Sequence, residues 1–198
     1  MKKLLLATNN AAKVREYQSL LSGLRFKLVT LPEQGITTGV SEVGGSLEEN
    51  ARLKATLLAA ESRLVALADD SGLEVEVLGG APGPLSARYA GEGASDRERI
   101  SYLLAKLEGI PWEKRQARFR CVIAIATPQG RIDFCSGECH GFISFEPRGE
   151  AGFGYDPIFY LPELDRTMAE LPLEVKNRVS HRGKAARQVP LVLARLGL

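Results

Sequence analysis

The residues best suited to chemistry lie together in the middle third of the chain. Asp69 and Asp70 stand side by side at the end of an apolar run, Leu64 to Ala68, and are followed by Ser71 and Gly72. A strand buried on both faces reads as such a continuous run. Carboxylates at its carboxyl end lie where ligands bind in open α/β sheets. Successive strand side chains point to opposite faces, so the pattern predicts one aspartate in a site and one in a structural role. Ser71-Gly72 predicts a tight turn that closes the strand. Glu42, in the polar segment 32–45, pairs with Asp70 as a second carboxylate. Such a pair suits Mg²⁺, which takes one or two carboxylates and completes its shell with phosphates and waters.

Three other stretches suit an anionic, partly aromatic ligand. Thr8, Asn9, Asn10, Ala11, Ala12 and Lys13 join a first strand to a first helix. Backbone N–H groups at such a junction bind phosphate, small residues let it approach, and Lys13 adds a positive charge. The glycine pattern of a Walker loop is missing. Residues 149–157 carry three glycines around Phe153, Tyr155 and Asp156. Glycine permits unusual backbone angles, so this loop can set Phe153 or Tyr155 against a flat ligand. Lys176, Arg178, Arg182, Lys184 and Arg187 fall within twelve residues that hold no acid, beside Ser180 and His181. A basic run at a helix start is an anion site or a solvated face. Ser180 and His181 lack the spacing of a hydrolase triad. Carboxylates for a metal, a cradle and cations for a polyphosphate and an aromatic loop for a base together describe a metal-dependent nucleotide enzyme.

Bulk properties narrow the class. The chain has 198 residues, 44% hydrophobic and 25% charged, which suits one folded domain spanning 1–198. A net charge of +2 excludes polyanion binding driven by bulk charge, so no nucleic-acid partner is expected. No apolar stretch reaches membrane-spanning length. The run after Met1 is cut by Thr8-Asn9-Asn10, too short for a secretory signal, and a cytoplasmic location is expected. Cys121, Cys135 and Cys139 are too few for a disulfide framework and read as small buried residues of a reducing compartment. Cys135, Cys139 and His140 lack the second cluster that a zinc site needs.

The elements that must position these residues follow from periodicity and caps. Strands are expected over 3–8 and 26–30, with a helix between them capped near Asn10 and ended by Gly23. Ser46 and Glu49 have capping-box spacing before a helix over 47–62, in which Asn50 is a weak helix former with a possible task of its own. A half-buried strand is expected over 73–77, and a second capping box, Ser95 with Glu98, opens a helix that Gly109 ends. Strands over 117–127, 131–136 and 138–145 read as an antiparallel meander. A last helix starts at Ser180 and is kinked or delayed by Pro190.

The sequence resembles the inosine/xanthosine triphosphate pyrophosphatase family. The resemblance rests on Ala7 to Asn10 with Lys13, Glu49-Asn50-Ala51 with Lys54-Ala55, Ala68 to Leu73, Gly79 to Gly83 with Ser86 to Tyr89, Gly152 to Pro157, and Ser180 to Gly183. These pieces run nearly end to end in family order; Asn9 departs from the glycine of many members. The resemblance implies an α/β fold with a long, strongly twisted mixed sheet, flanking helices and two lobes around a central nucleotide-binding cleft, usually as a homodimer. It implies hydrolysis of ITP, dITP or XTP to the monophosphate and pyrophosphate. It implies that residues 8–13 hold phosphates, that Glu42 and Asp70 hold Mg²⁺ or Mn²⁺, and that Asp70 is the general base. Ser71, Phe153, Gly154, Tyr155, Asp156, Lys176, His181 and Arg182 would bind substrate.

Arg182 and Lys176 have donors only, which matches the 6-carbonyl of hypoxanthine and xanthine and mismatches the 6-amino group of adenine. Two other readings remain open at this stage: a pyrophosphatase acting on pyrimidine or modified nucleotides, and a non-catalytic nucleotide-binding protein.

Overall fold

The computed structural model describes residues 1–40 and 44–198. Glu42, the expected second metal ligand, lies outside the described residues. The strands are β1 (Lys2–Leu6), β2 (Phe26–Thr30), β3 (Val65–Val75), β4 (Pro82–Gly83), β5 (Gln116–Ala126), β6 (Ile132–Ile143), β7 (Phe159–Leu161) and β8 (Arg166–Thr167). The helices are α1 (Ala11–Leu20), α2 (Leu47–Ser62), α3 (Asp96–Lys106), α4 (Leu173–Val179), α5 (His181–Ala186) and α6 (Val189–Arg195). The sheet order is β2-β1-β3-β5-β6-β7-β8, with β4 paired to β3. β1 runs parallel to β2 and β3, while β3 with β4, β6 with β7 and β7 with β8 are antiparallel. The fold is therefore α/β with a mixed sheet, as the family resemblance implies.

The chain divides into two compact units: Met1–Asp70 with Cys121–Gly137 and His181–Leu198, and Ser71–Arg120 with Glu138–Ser180. In the first, alternation along β1 and β3 feeds two cores. Leu4, Leu6 and Leu67 pack with Tyr17 of α1, Ala185 of α5 and Val192 of α6. Leu5, Ala66 and Ala68 pack with Leu47, Ala51 and Leu58 of α2. The second unit has its own core, in which Leu73 and Val75 meet Leu103 of α3, Phe119, Tyr155 and Phe159. Among the described residues no helix is long and apolar enough to cross a membrane.

Local signals for helices hold well. Asn10 caps α1, its Oδ1 accepting from the N–H groups of Ala12 and Lys13. α2 spans 47–62, and Ser46 Oγ accepts from Glu49 N–H, but Glu49 answers on Gly45 N–H rather than on Ser46. The Ser95–Glu98 capping box is complete.

Three expectations are corrected. β3 does not turn at Ser71-Gly72; it continues through both to Val75. The reason is a partner: Leu73 and Glu74 pair with β4, and Gly72 serves close approach, since a Cβ there would lie 2.5 Å from Gly83 O. β6 likewise passes unbroken through Gly137. The final helical region is three helices, with α4 ahead of Ser180 and Pro190 in the first turn of α6, where its missing N–H is harmless.

Candidate active site

Asp69 and Asp70 are adjacent on β3, so their side chains leave the strand on opposite faces. Asp69 turns to the side of Tyr17 and Cys121. Its Oδ1 lies 3.0 Å from Lys13 Nζ, and its Oδ2 accepts from Nε and Nη2 of Arg182, each at 3.3 Å. Arg182 in turn donates through Nη1 to Oε2 of Glu16 at 2.6 Å. Glu16, Asp69 and Arg182 are all buried, so their part of this alternation of carboxylates and cations is shielded from water, while Lys13 is half-buried. Burial alone would push the Asp69 carboxyl upward, but Lys13, then Arg182 and Lys54, outweigh it and hold the group well below the usual carboxylate range. Burial likewise disfavours charge on Arg182, and Asp69 and Glu16 overturn that penalty and raise its pKa.

Asp70 turns the other way, to α2. Its Oδ2 accepts from Asn50 Nδ2 at 2.9 Å, and its Oδ1 lies 3.5 Å from Lys54 Nζ. Lys54 also donates to the backbone oxygen of Asp69 at 2.6 Å. One helix thus grips one strand at both its main chain and its carboxylate. A buried carboxylate held in this way is a hard oxygen donor, able to ligate a divalent cation or to accept a proton from water.

The junction before α1 is capped from within: Thr8 Oγ1 accepts from Asn10 N–H at 3.2 Å, and Asn10 Oδ1 takes the Ala12 and Lys13 N–H groups. Asn9, Asn10 and Ala11 are exposed there, and Thr8, Ala12 and Lys13 are half-buried. Lys13, one turn into α1, is the side chain that connects this junction to Asp69.

The second unit holds the Gly-aromatic loop. Gly152 has φ +78, and a Cβ on it would run into the Asp156 carboxylate. Asp156 Oδ2 accepts from Phe153 N–H at 2.9 Å and from Lys176 Nζ at 2.5 Å. Lys176 Nζ lies 4.9 Å from the Phe153 ring centroid, a cation–π contact. Gly154 N–H donates to Asp96 Oδ2 at 2.7 Å. Tyr155 is 3% exposed, packs in the core and donates from its hydroxyl to Ser86 O at 2.9 Å. The ring of Tyr155 is therefore structural, and of the two aromatics Phe153 is the one that remains half-buried.

The structure brings Lys13, Asp69, Asp70 and Arg182 into one group and Phe153, Asp156 and Lys176 into another. Ser71 follows Asp70 directly on β3 and is half-buried. His181 is buried at the start of α5, where Gly137 lets β6 approach: a Cβ at 137 would collide with His181 O and lie 2.6 Å from Ala185 N. Sequence reasoning missed Glu16, Lys54 and Asp96. Glu16 sits one turn after Lys13, and its burial on a polar helix face is invisible without its partner 166 positions away.

This is an α/β protein whose mixed sheet carries, on β3, two oppositely directed carboxylates, each paired with a lysine. The Ham1 family model matches residues 4–190. The chain is 51% identical over 194 residues to a "dITP/XTP pyrophosphatase" of Desulforamulus reducens, covering 98% of this chain and 96% of that one. It is 44% identical over 193 residues to one of Bacillus subtilis, covering 98% of each. A solved HAM1 protein from Coxiella burnetii superposes with a TM-score of 0.88 at 44% identity, covering 98% of this chain and 100% of that one. The chain belongs to the Ham1 family.

Proposed function

We propose that this chain hydrolyses non-standard purine nucleoside triphosphates, ITP, dITP and XTP, to the monophosphate and pyrophosphate, and so cleanses the nucleotide pool. The observation that carries the reading is 51% identity, over 98% of this chain, to a protein named dITP/XTP pyrophosphatase. The buried Asp70, held by Asn50 and Lys54, supports it as the carboxylate of the reacting centre.

The donor set fits Mg²⁺, or Mn²⁺ in its place. Asp70 supplies hard oxygens, and one or two carboxylates suffice when phosphates and waters complete the shell. Asp70 and Glu42 would hold the ion. When bound, it supplies charge neutralisation on the phosphates. Asp70 orients or deprotonates the attacking water, and Lys54 helps to hold that carboxylate in place. Thr8 to Lys13 cradle the phosphates, with Lys13 held ready by Asp69. Phe153 stacks on the base, and Lys176, held by Asp156, supplies donors to it. The working assembly is a homodimer in the cytoplasm; the three free, buried cysteines suit a reducing compartment.

The test is product identity. Purified protein is incubated with ITP, XTP, dITP, GTP and ATP in Mg²⁺ and followed by phosphorus NMR. Pyrophosphate and monophosphate are expected from the first three. Orthophosphate as the first product, or turnover only of pyrimidine nucleotides, overturns the reading.

A further inference from the structure

Asn50 is 0% exposed, an odd place for a polar residue that is a weak helix former. Its carboxamide makes two bonds with opposite sense. Oδ1 accepts from Gly44 N–H at 2.8 Å, and Nδ2 donates to Asp70 Oδ2 at 2.9 Å. A flipped amide would set donor against donor at Gly44 and acceptor against acceptor at Asp70, so the orientation is locked. Glycine at 44 belongs to this arrangement, because a Cβ there would lie 2.7 Å from Asn50 Oδ1 and 2.8 Å from Glu49 Cβ. Lys54, four positions on along the same face of α2, approaches the other oxygen of Asp70.

We propose that Asn50 is a positioning residue for Asp70. Its Nδ2 bond fixes the rotation of the carboxylate, and its Oδ1 bond ties the backbone at Gly44 to the same point. The inference rests on the role given to Asp70 under Proposed function. The competing account makes Asn50 only an anchor for the chain at Gly44.

Asn50→Asp separates the two. It keeps the volume and an oxygen for Gly44 N–H, and it replaces the donor facing Asp70 by an acceptor. Groups that orient a metal ligand typically contribute ~10–100-fold in activity or metal affinity. The expected result with ITP is therefore a ~10–100-fold lower kcat, with KM changed far less and an unchanged circular dichroism spectrum. A kcat equal to wild type would leave only the anchor and overturn the proposal.

A second measurement needs no turnover. Mn²⁺ alone is titrated into wild type, Asn50→Ala, Asp70→Asn and the double variant, and the free-ion EPR signal is read. Alanine is the best helix former, so α2 is retained in the Asn50→Ala chain. Asn50→Ala is expected to weaken Mn²⁺ binding ~10-fold, and to change nothing further once Asp70 is Asn. An undiminished effect in the Asp70→Asn background, or no effect in either, overturns the role. A wild-type chain that binds Mn²⁺ but leaves ITP intact fails the functional reading alone, and the EPR cycle still decides Asn50.

Discussion

Arg182 and Glu16, 166 positions apart, meet through Nη1 and Oε2 at 2.6 Å with both side chains buried. The same guanidinium holds Asp69, so it is the hub of two buried ion pairs. Removing one partner of a buried pair strands the other charge out of water, at ~3–5 kcal/mol. Arg182→Ala is therefore expected to lower unfolding free energy by about that amount, more than Glu16→Gln, which keeps the shape and a weaker bond. Urea denaturation measures both; an Arg182→Ala chain as stable as wild type would remove the structural role of the pair.

Acid stability follows from Asp69. Its folded pKa lies below that of an unfolded aspartate, about 3.9. The folded state thus binds fewer protons, and the stabilisation is complete above that unfolded value and drains as pH falls toward the folded one. Wild type in EDTA should lose stability steeply below about pH 4, while Asp69→Asn, already weaker at neutral pH, should show a shallower fall. Parallel pH profiles would mean that Asp69 is not the group responsible.

The two aspartates should part company in kinetics. Asp70→Asn keeps shape and removes charge, and loss of a general base lowers kcat by at least ~10²-fold. Activity should vanish in EDTA and return with Mg²⁺ or Mn²⁺. Thiol reagents at low dose should leave it intact, since all three cysteines are buried and burial pushes the Cys135 thiol up to about 12. Full activity in Asp70→Asn with none in Asp69→Asn would exchange their roles.

Gly137 sets how closely α5 lies on β6. Gly137→Ala drives a methyl group into the His181 carbonyl and Ala185 nitrogen, both backbone atoms that cannot rotate away. Overpacking of this kind typically costs ~1–3 kcal/mol, and it shifts the helix that carries His181 and Arg182. A lower melting temperature together with reduced kcat/KM for ITP is expected. A melting temperature at the wild-type value would show that α5 has slack.

Base choice is expected to follow donor matching. Lys176, on Asp156 and over Phe153, presents only donors. Adenine would leave buried groups unpaired at ~1–3 kcal/mol each, and several such mismatches reach ~10⁴-fold rejection. kcat/KM should run ITP and XTP above GTP, with ATP lowest. Lys176→Met should reduce ITP turnover by more than ATP turnover and narrow the gap. Equal losses on both would assign Lys176 to something other than the base.

What the sequence determined by itself is the set of locally encoded features. The caps at Asn10, Ser46 and Ser95, the bounds of α2 and the Gly-aromatic loop are interactions among residues a few positions apart, so residue type and spacing suffice. The tertiary structure decided whether a stretch turns or continues. Asp69 to Gly72 has turn composition, yet pairing of Leu73 and Glu74 with β4 keeps it extended, and a ladder partner lies outside any local window. It also decided which charge meets which. Alternation along β3 places Asp69 and Asp70 on opposite faces, but the cations waiting there come from α1, α2 and α5. Arg182 reaches Asp69 across 113 positions, a pairing set by packing of whole elements and written in no neighbouring residue.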